Sequence, residues 1–246
     1  MSLLDETVEI PRRTMTLFFM IDTSGSMAGS KIGAVNDAVV NVLPMLEEIS
    51  AENPDAEIKV AALEFSTTCH WLYNEPKPAN EFVWQDVQAN ALTSLGAACK
   101  ELSSKLSRNG FMKSASGSFA PAIILLSDGA PTDDFESGLA TLKQNNWFKA
   151  AIKVAVAIGE DADKEVLARF TGTNEAVFTV HNIEALKQVI RIVAVTSSQI
   201  GSKSSTAGDT TKQEQVIAEV KSAVDNIGGA EVASAPSSTV SYDDWD

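Results

Sequence analysis

The sequence predicts a doubly wound α/β fold: a mostly parallel sheet with helices on both faces and one antiparallel edge strand. Three observations carry that prediction. Short apolar runs alternate with segments of helical periodicity, the runs are of strand length, and oxygen-bearing side chains stand just beyond two of them. An uninterrupted apolar run is what a strand buried on both faces requires, and its alternation with amphipathic helices is the mark of a parallel sheet. In such sheets ligands sit beyond the carboxyl ends of the strands, where the winding reverses.

Thr14 to Ile21 reads as the first strand and runs into a turn, Asp22-Thr23-Ser24-Gly25-Ser26. From Lys31 to Ser50 the residues Ile32, Val35, Val39, Val42, Leu43, Leu46 and Ile49 recur every three or four positions, one face of a helix. Pro44 inside it predicts a kink or an early end. Ile58 to Ser66 is the second strand, and Cys69 to Tyr73 returns as the antiparallel edge strand. Two prolines make Asn74 to Ala79 a loop. Gly96 to Leu106 is helical, Gly110 to Gly117 a connection, and Pro121 to Ser127 another buried strand. Asp133 with Glu136 three residues on predicts a capped helix whose inner side is Phe135, Leu139 and Leu142. A strand at Ile152 to Ile158, a helix near Asp163 to Phe170, a strand at Ala176 to Val180 and a helix from Ile183 to about Ser198 complete the rhythm.

The expected organisation is an N-terminal segment at 1–11, a domain at 12–199, and a Ser/Thr-rich linker within 200–246. That last stretch carries a helix at 211–227 and a flexible acidic tail ending Tyr242-Asp243-Asp244-Trp245-Asp246. Apolar residues are 44% of the chain, enough for a substantial core. Lys and Arg number 19 against 33 Asp and Glu, a net charge of −14, which repels nucleic-acid backbones and anionic membrane surfaces. No apolar run approaches the roughly 20 residues that span a bilayer, and the opening residues lack a basic leader with an apolar block. A cytoplasmic location is expected. Cys69 and Cys99 read as packed thiols, a mutual disulfide being the lesser alternative, and two separated histidines do not make a zinc site.

Oxygen donors gather at three places: Asp22, Ser24 and Ser26 after the first strand, Thr93 before a helix, and Asp128 after Ser127. Mg²⁺ demands octahedral oxygen ligation with few carboxylates and exchangeable waters, and these side chains suit it. Asp22, Ser24 and Ser26 alternate, so an extended turn can aim all three at one point, while Gly25 permits the bend. The plainer alternative is that Ser24 and Ser26 cap the following helix and Asp128 opens an Asx turn before Gly129.

Asp22-x-Ser24-x-Ser26, Thr93 and Ser127-Asp128-Gly129 together resemble the metal-ion-dependent adhesion site of von Willebrand factor A domains, over about residues 12–199. Segments 21–27, 34–36, 93–98 and 127–133 are further similar to the bacterial TerY/YegL-like branch linked to tellurium resistance. The resemblance implies a Rossmann-like fold and a Mg²⁺ ion, with Mn²⁺ or Ca²⁺ as substitutes. Ser24 and Ser26 would bind the ion directly, and Thr93, Asp22 and Asp128 directly or through water. It also implies a scaffold or adaptor in a stress-response system, a partner carboxylate on the metal, and association with a protein kinase and a PP2C-type phosphatase. Asn90-Ala91-Leu92 depart from the glycines that the family often places before the threonine.

The competing class is a Mg-dependent phosphohydrolase or nucleotide-binding enzyme. Gly25 to Lys31 superficially resembles a phosphate-binding loop, but its second glycine falls one residue early and Ile32 follows the lysine. No Gly-x-Ser-x-Gly elbow occurs, and neither His70 nor His181 has a constellation that would activate a serine. The expectation is a binding module without catalysis.

Overall fold

The computed structural model describes residues 12–90, 92–203 and 210–233. The 1–11 segment, most of the Ser/Thr-rich linker and the acidic tail from 234 lie outside them.

Eight strands form one sheet: β1 (Arg13–Asp22), β2 (Ala56–Phe65), β3 (Cys69–Trp71), β4 (Lys77–Pro78), β5 (Ala122–Ser127), β6 (Ile152–Ile158), β7 (Val177–Val180) and β8 (Ala230–Val232). The helices are α1 (Ser30–Glu52), α2 (Leu95–Lys105), α3 (Phe135–Gln144), α4 (Asn146–Ala150), α5 (Lys164–Thr171), α6 (Ile183–Gly201) and α7 (Lys212–Val224). The strand order is β3-β2-β1-β5-β6-β7-β8, with β4 also on β2. The central pairs, β2 with β1, β1 with β5, β5 with β6 and β6 with β7, are parallel.

Alternate residues of β1 explain the two layers. Met15, Leu17, Phe19 and Ile21 face the core under α1, α6 and α7, while Phe18 and Met20 face the core under α2, α3 and α5. Every residue of β1 from Met15 to Asp22 is buried, because a central parallel strand has helices on both sides. The chain leaves β1 for β2 on one side and later places β5 on the other. The winding therefore reverses between β1 and β5, and Asp22 and Asp128 stand at the carboxyl ends of these two strands.

Several expectations need correction. Pro44 neither ends nor shortens α1, which continues to Glu52; its inward residues Val42, Leu43 and Leu46 bury enough surface to outweigh the missing amide. The stretch read as a proline loop supplies β4, in which Pro78 lies at the sheet edge, where a strand tolerates a residue without an N–H. Among the described residues the antiparallel strands accordingly number three: β3 and β4 beside β2, and β8 beside β7. Asp133 does not cap α3; Asp134 does, accepting from the Ser137 amide. Beyond 199, α7 packs on α6 and β8 joins the sheet. Cys69 and Cys99 are free thiols, and no described helix is long and apolar enough to cross a membrane.

Candidate metal centre

Seven buried residues of β1, Met15 to Ile21, deliver Asp22 to the switch point, where its own side chain is fully buried. Its two oxygens are both committed. Oδ1 accepts the Ser24 amide at 2.8 Å, and Oδ2 accepts the Ser127 hydroxyl at 2.5 Å. Burial raises the carboxyl above its ordinary range; the hydrogen bonds from Ser127 and Ser24 pull the other way, and the negative charge of Asp128 adds to the rise. The first of those bonds folds the backbone after β1 into a 3₁₀ turn, Gly25–Met27, that presents two serines on one side.

Ser24 and Ser26 stand with their hydroxyl oxygens 3.0 Å apart, and Ser26 donates to Asp128 Oδ1 at 2.9 Å. An octahedral ion bound at 2.0–2.1 Å has adjacent ligands about 2.9 Å apart, so the Ser24–Ser26 pair and the Ser26–Asp128 pair each have the spacing of neighbouring ligands of a small hard cation. The donor set is hydroxyl and carboxylate oxygen, the kind that a hard divalent cation takes. Among the described residues no cluster of three or more His, Cys, Asp or Glu side chains could hold a metal, so any ion here must rely on the serines. Ser24 and Asp128 are buried whereas Ser26 is exposed, so the cluster opens to solvent on the Ser26 side.

The plainer alternative of helix capping does not describe these side chains. The residue before α1 is Gly29, with no side-chain cap, and the turn bond to the Gly129 amide comes from Ser127, not Asp128. Asp128 instead takes Ser26 on one oxygen and the Lys31 ammonium on the other, at 3.1 Å.

Thr93 is buried on the loop before α2 and latched to Thr132. The Thr132 hydroxyl and amide both donate to the Thr93 carbonyl, at 3.0 and 2.8 Å, and the Thr93 amide donates back to the hydroxyl at 3.2 Å. Among the described residues its side chain makes no hydrogen bond to the other four predicted ligands. The structure thus brings Asp22, Ser24, Ser26 and Asp128 into one bonded network and leaves Thr93 beside it.

Three supporting residues, Ser127, Asn36 and Lys31, had no role in the site assigned from sequence, and a fourth, Asp133, was assigned to another helix. Ser127 clamps Asp22. Asn36, one helical turn beyond Ile32, accepts from the Trp84 ring nitrogen and the Val87 amide and donates to the Val87 carbonyl, pinning the long loop that leads to Thr93. Asp133 receives the Gly96 and Ala97 amides at 2.9 and 2.8 Å, capping α2 from another segment. Lys31 lies against Asp128 and, at 3.5 Å, Asp161. Only the Asp133 capping role had a sequence signal, and it pointed to the wrong helix.

Residues 16–192 match the von Willebrand factor type A domain. Solved structures with the same fold include a von Willebrand factor type A protein from Catenulispora acidiphila (17% identity, TM-score 0.56, 76% of this chain and 43% of that one). Another is the pilus adhesin SpaC of Lactobacillus rhamnosus GG (13%, 0.60, 76% and 30%). A third, proximal thread matrix protein 1 from the mussel byssus, has zinc in its MIDAS motif (14%, 0.56, 76% and 48%). The chain spans less than half the length of each of these, and identities this low establish the fold alone. No curated protein gave a match.

Proposed function

The chain belongs to the von Willebrand factor type A domain family, whose domains are metal-dependent adhesion and protein-interaction modules, and we propose that it is such a module itself. In this reading Ser24, Ser26 and Asp128 hold a divalent cation, Asp22 orients the serines, and Thr93 contributes directly or through water. The observation that carries the reading is the spacing of three donor oxygens at 3.0 and 2.9 Å on the open side of the β1/β5 switch point.

A dication held there supplies an exchangeable position for one oxygen from outside. The chain's own residues do the rest. Asp22 fixes the turn, Ser127 fixes Asp22, and the Thr132 latch and the Asp133 cap hold the neighbouring loop. With a net charge of −14 the surface repels an acidic partner, so a carboxylate ligand needs the ion as a bridge.

Mg²⁺ is the proposed resident, since the donors are all oxygen and few are charged; Mn²⁺ and Ca²⁺ share that chemistry. We take residues 12–199 as the domain and 200–246 as an extension in which α7 packs on α6 and β8 joins the sheet beside β7. The role is binding without turnover. The motifs in segments 21–27, 93–98 and 127–133 lead us to place the module in a bacterial tellurium-resistance or stress-response system, in the cytoplasm, as a scaffold or adaptor working with a protein kinase and a PP2C-type phosphatase.

The test is affinity capture on the immobilised chain in Mg²⁺ and in EDTA, beside a variant carrying Ser24→Ala and Ser26→Ala. A protein retained by the wild type in Mg²⁺ and by neither control supports the reading. Equal retention in chelator overturns it.

A further inference from the structure

Lys31 occupies a place that helix energetics disfavour. It is the second residue of α1, at the positive end of a 23-residue helix whose first turn holds no acidic side chain. Its ammonium is nevertheless well seated. It lies 3.1 Å from Asp128 Oδ2 and 3.5 Å from Asp161 Oδ1, with a quarter of the side chain exposed.

The seat is shaped for it. Gly159, at the end of β6 with φ +99°, passes so near that a Cβ there would stand 3.1 Å from the Lys31 Nζ and 2.7 Å from Asp161 Oδ1. Asp128 is almost fully buried and Asp161 is three-quarters exposed. One ammonium therefore spans two carboxylates, one inside the donor cluster and one outside it.

Resting on the metal-site reading above, we propose that Lys31 is a built-in competitor for the cation. Its ammonium holds the Asp128 carboxylate against a dication and turns to Asp161 when the dication wins. The residue thereby sets how much free metal the module needs before it can engage a partner. The physical basis is charge alone: a dication bound to Ser24, Ser26 and Asp128 is repelled by an ammonium within a few ångströms, in a partly buried setting where screening is weak. Asp161 lowers that cost by receiving the displaced ammonium.

Two substitutions then act in opposite directions, which a merely structural contact does not produce. Lys31→Met keeps the aliphatic stem and removes the charge. Asp161→Asn alters an exposed side chain and removes the alternative seat.

The experiment is calorimetric titration of the full chain with Mg²⁺ and Mn²⁺, with circular dichroism on each variant to show that it is folded. Lys31→Met is expected to bind on the order of tenfold more tightly than the wild type. Asp161→Asn is expected to bind several-fold more weakly, and that loss is expected to shrink when Lys31→Met is also present. Wild-type binding with an unchanged or weakened Lys31→Met affinity overturns the proposal and leaves the metal site standing. Absence of binding by the wild type and by Lys31→Met alike overturns both.

Discussion

Ser127 donates a hydrogen bond from its hydroxyl to Asp22 Oδ2 across 2.5 Å, tying the end of β5 to the end of β1 at the strand pair where the winding reverses. Because Oδ1 is taken by the Ser24 amide, Asp22 works as the keystone of the turn, and the oxygens that line up beyond it belong to Ser24, Ser26 and Asp128, of which Ser26 meets solvent.

Ser127→Ala follows directly from that bond. It leaves a fully buried carboxylate oxygen without its shortest donor, so the variant is expected to lose about 1–3 kcal/mol in urea unfolding. Metal affinity is expected to fall about 10–100-fold, as for other residues that orient ligands without touching the ion. Full affinity in a destabilised variant would show that Asp22 does not depend on this clamp.

Helices α2 and α3 meet through two glycines. A Cβ on Gly138 would lie 2.2 Å from the Gly96 carbonyl oxygen, and one on Gly96 would lie 2.4 Å from that of Asp134. Gly138→Ala is ordinarily a gain of up to about 1 kcal/mol inside a helix. Here we expect a loss of about 1–3 kcal/mol in urea unfolding, since backbone must move apart. A variant as stable as the wild type would contradict this packing.

Most of the sheet and the cluster was legible because both rest on local signals. The apolar runs that became β1, β2, β5 and β6 need burial on two faces, and Asp22-x-Ser24-x-Ser26 is a contiguous pattern whose first member sets the geometry of the other two. What was not legible depends on distant pairing. Asp133 has the spacing of a capping box with Glu136, yet it caps α2, since α2 comes to lie beside it. The three residues of β8 carry no strand pattern and exist because β7 offers an open edge. Lys31 reads as the first residue of a helix and as the end of a poor phosphate-loop match until the fold brings Asp128, 97 positions away, to its ammonium.

Cys69 bears on whether the chain does chemistry. Burial, with the negative charges of Glu101 and Asp133 adding, pushes its thiol up to about 11. At pH 8 its thiolate is scarce, so iodoacetamide is expected to label it on the order of a hundredfold more slowly than an unperturbed thiol. Buried Cys99 is expected to react only after unfolding. Labelling of the folded protein at the rate of a free thiol would contradict this environment.

The α7 capping box gives a pH dependence with a definite sign. The Thr211 amide, and then its hydroxyl, hold the Glu214 carboxyl below its ordinary value of 4.5. A carboxyl lowered on folding stabilises at pH above its unfolded value and loses that effect as pH falls through its folded value. The difference in melting temperature between wild type and Glu214→Ala is therefore expected to be full at pH 7 and to close on acidification below about 4.5. A difference that persists undiminished at pH 3 would contradict the box.

Whether side chains from two strand ends cage one dication is decided by anomalous scattering from crystals soaked in Mn²⁺. A single strong peak is expected about 2 Å from both Ser24 Oγ and Ser26 Oγ, with Asp128 bound directly or through one water. Crystals with no peak there, or with manganese only on carboxylates elsewhere, would contradict such a cage.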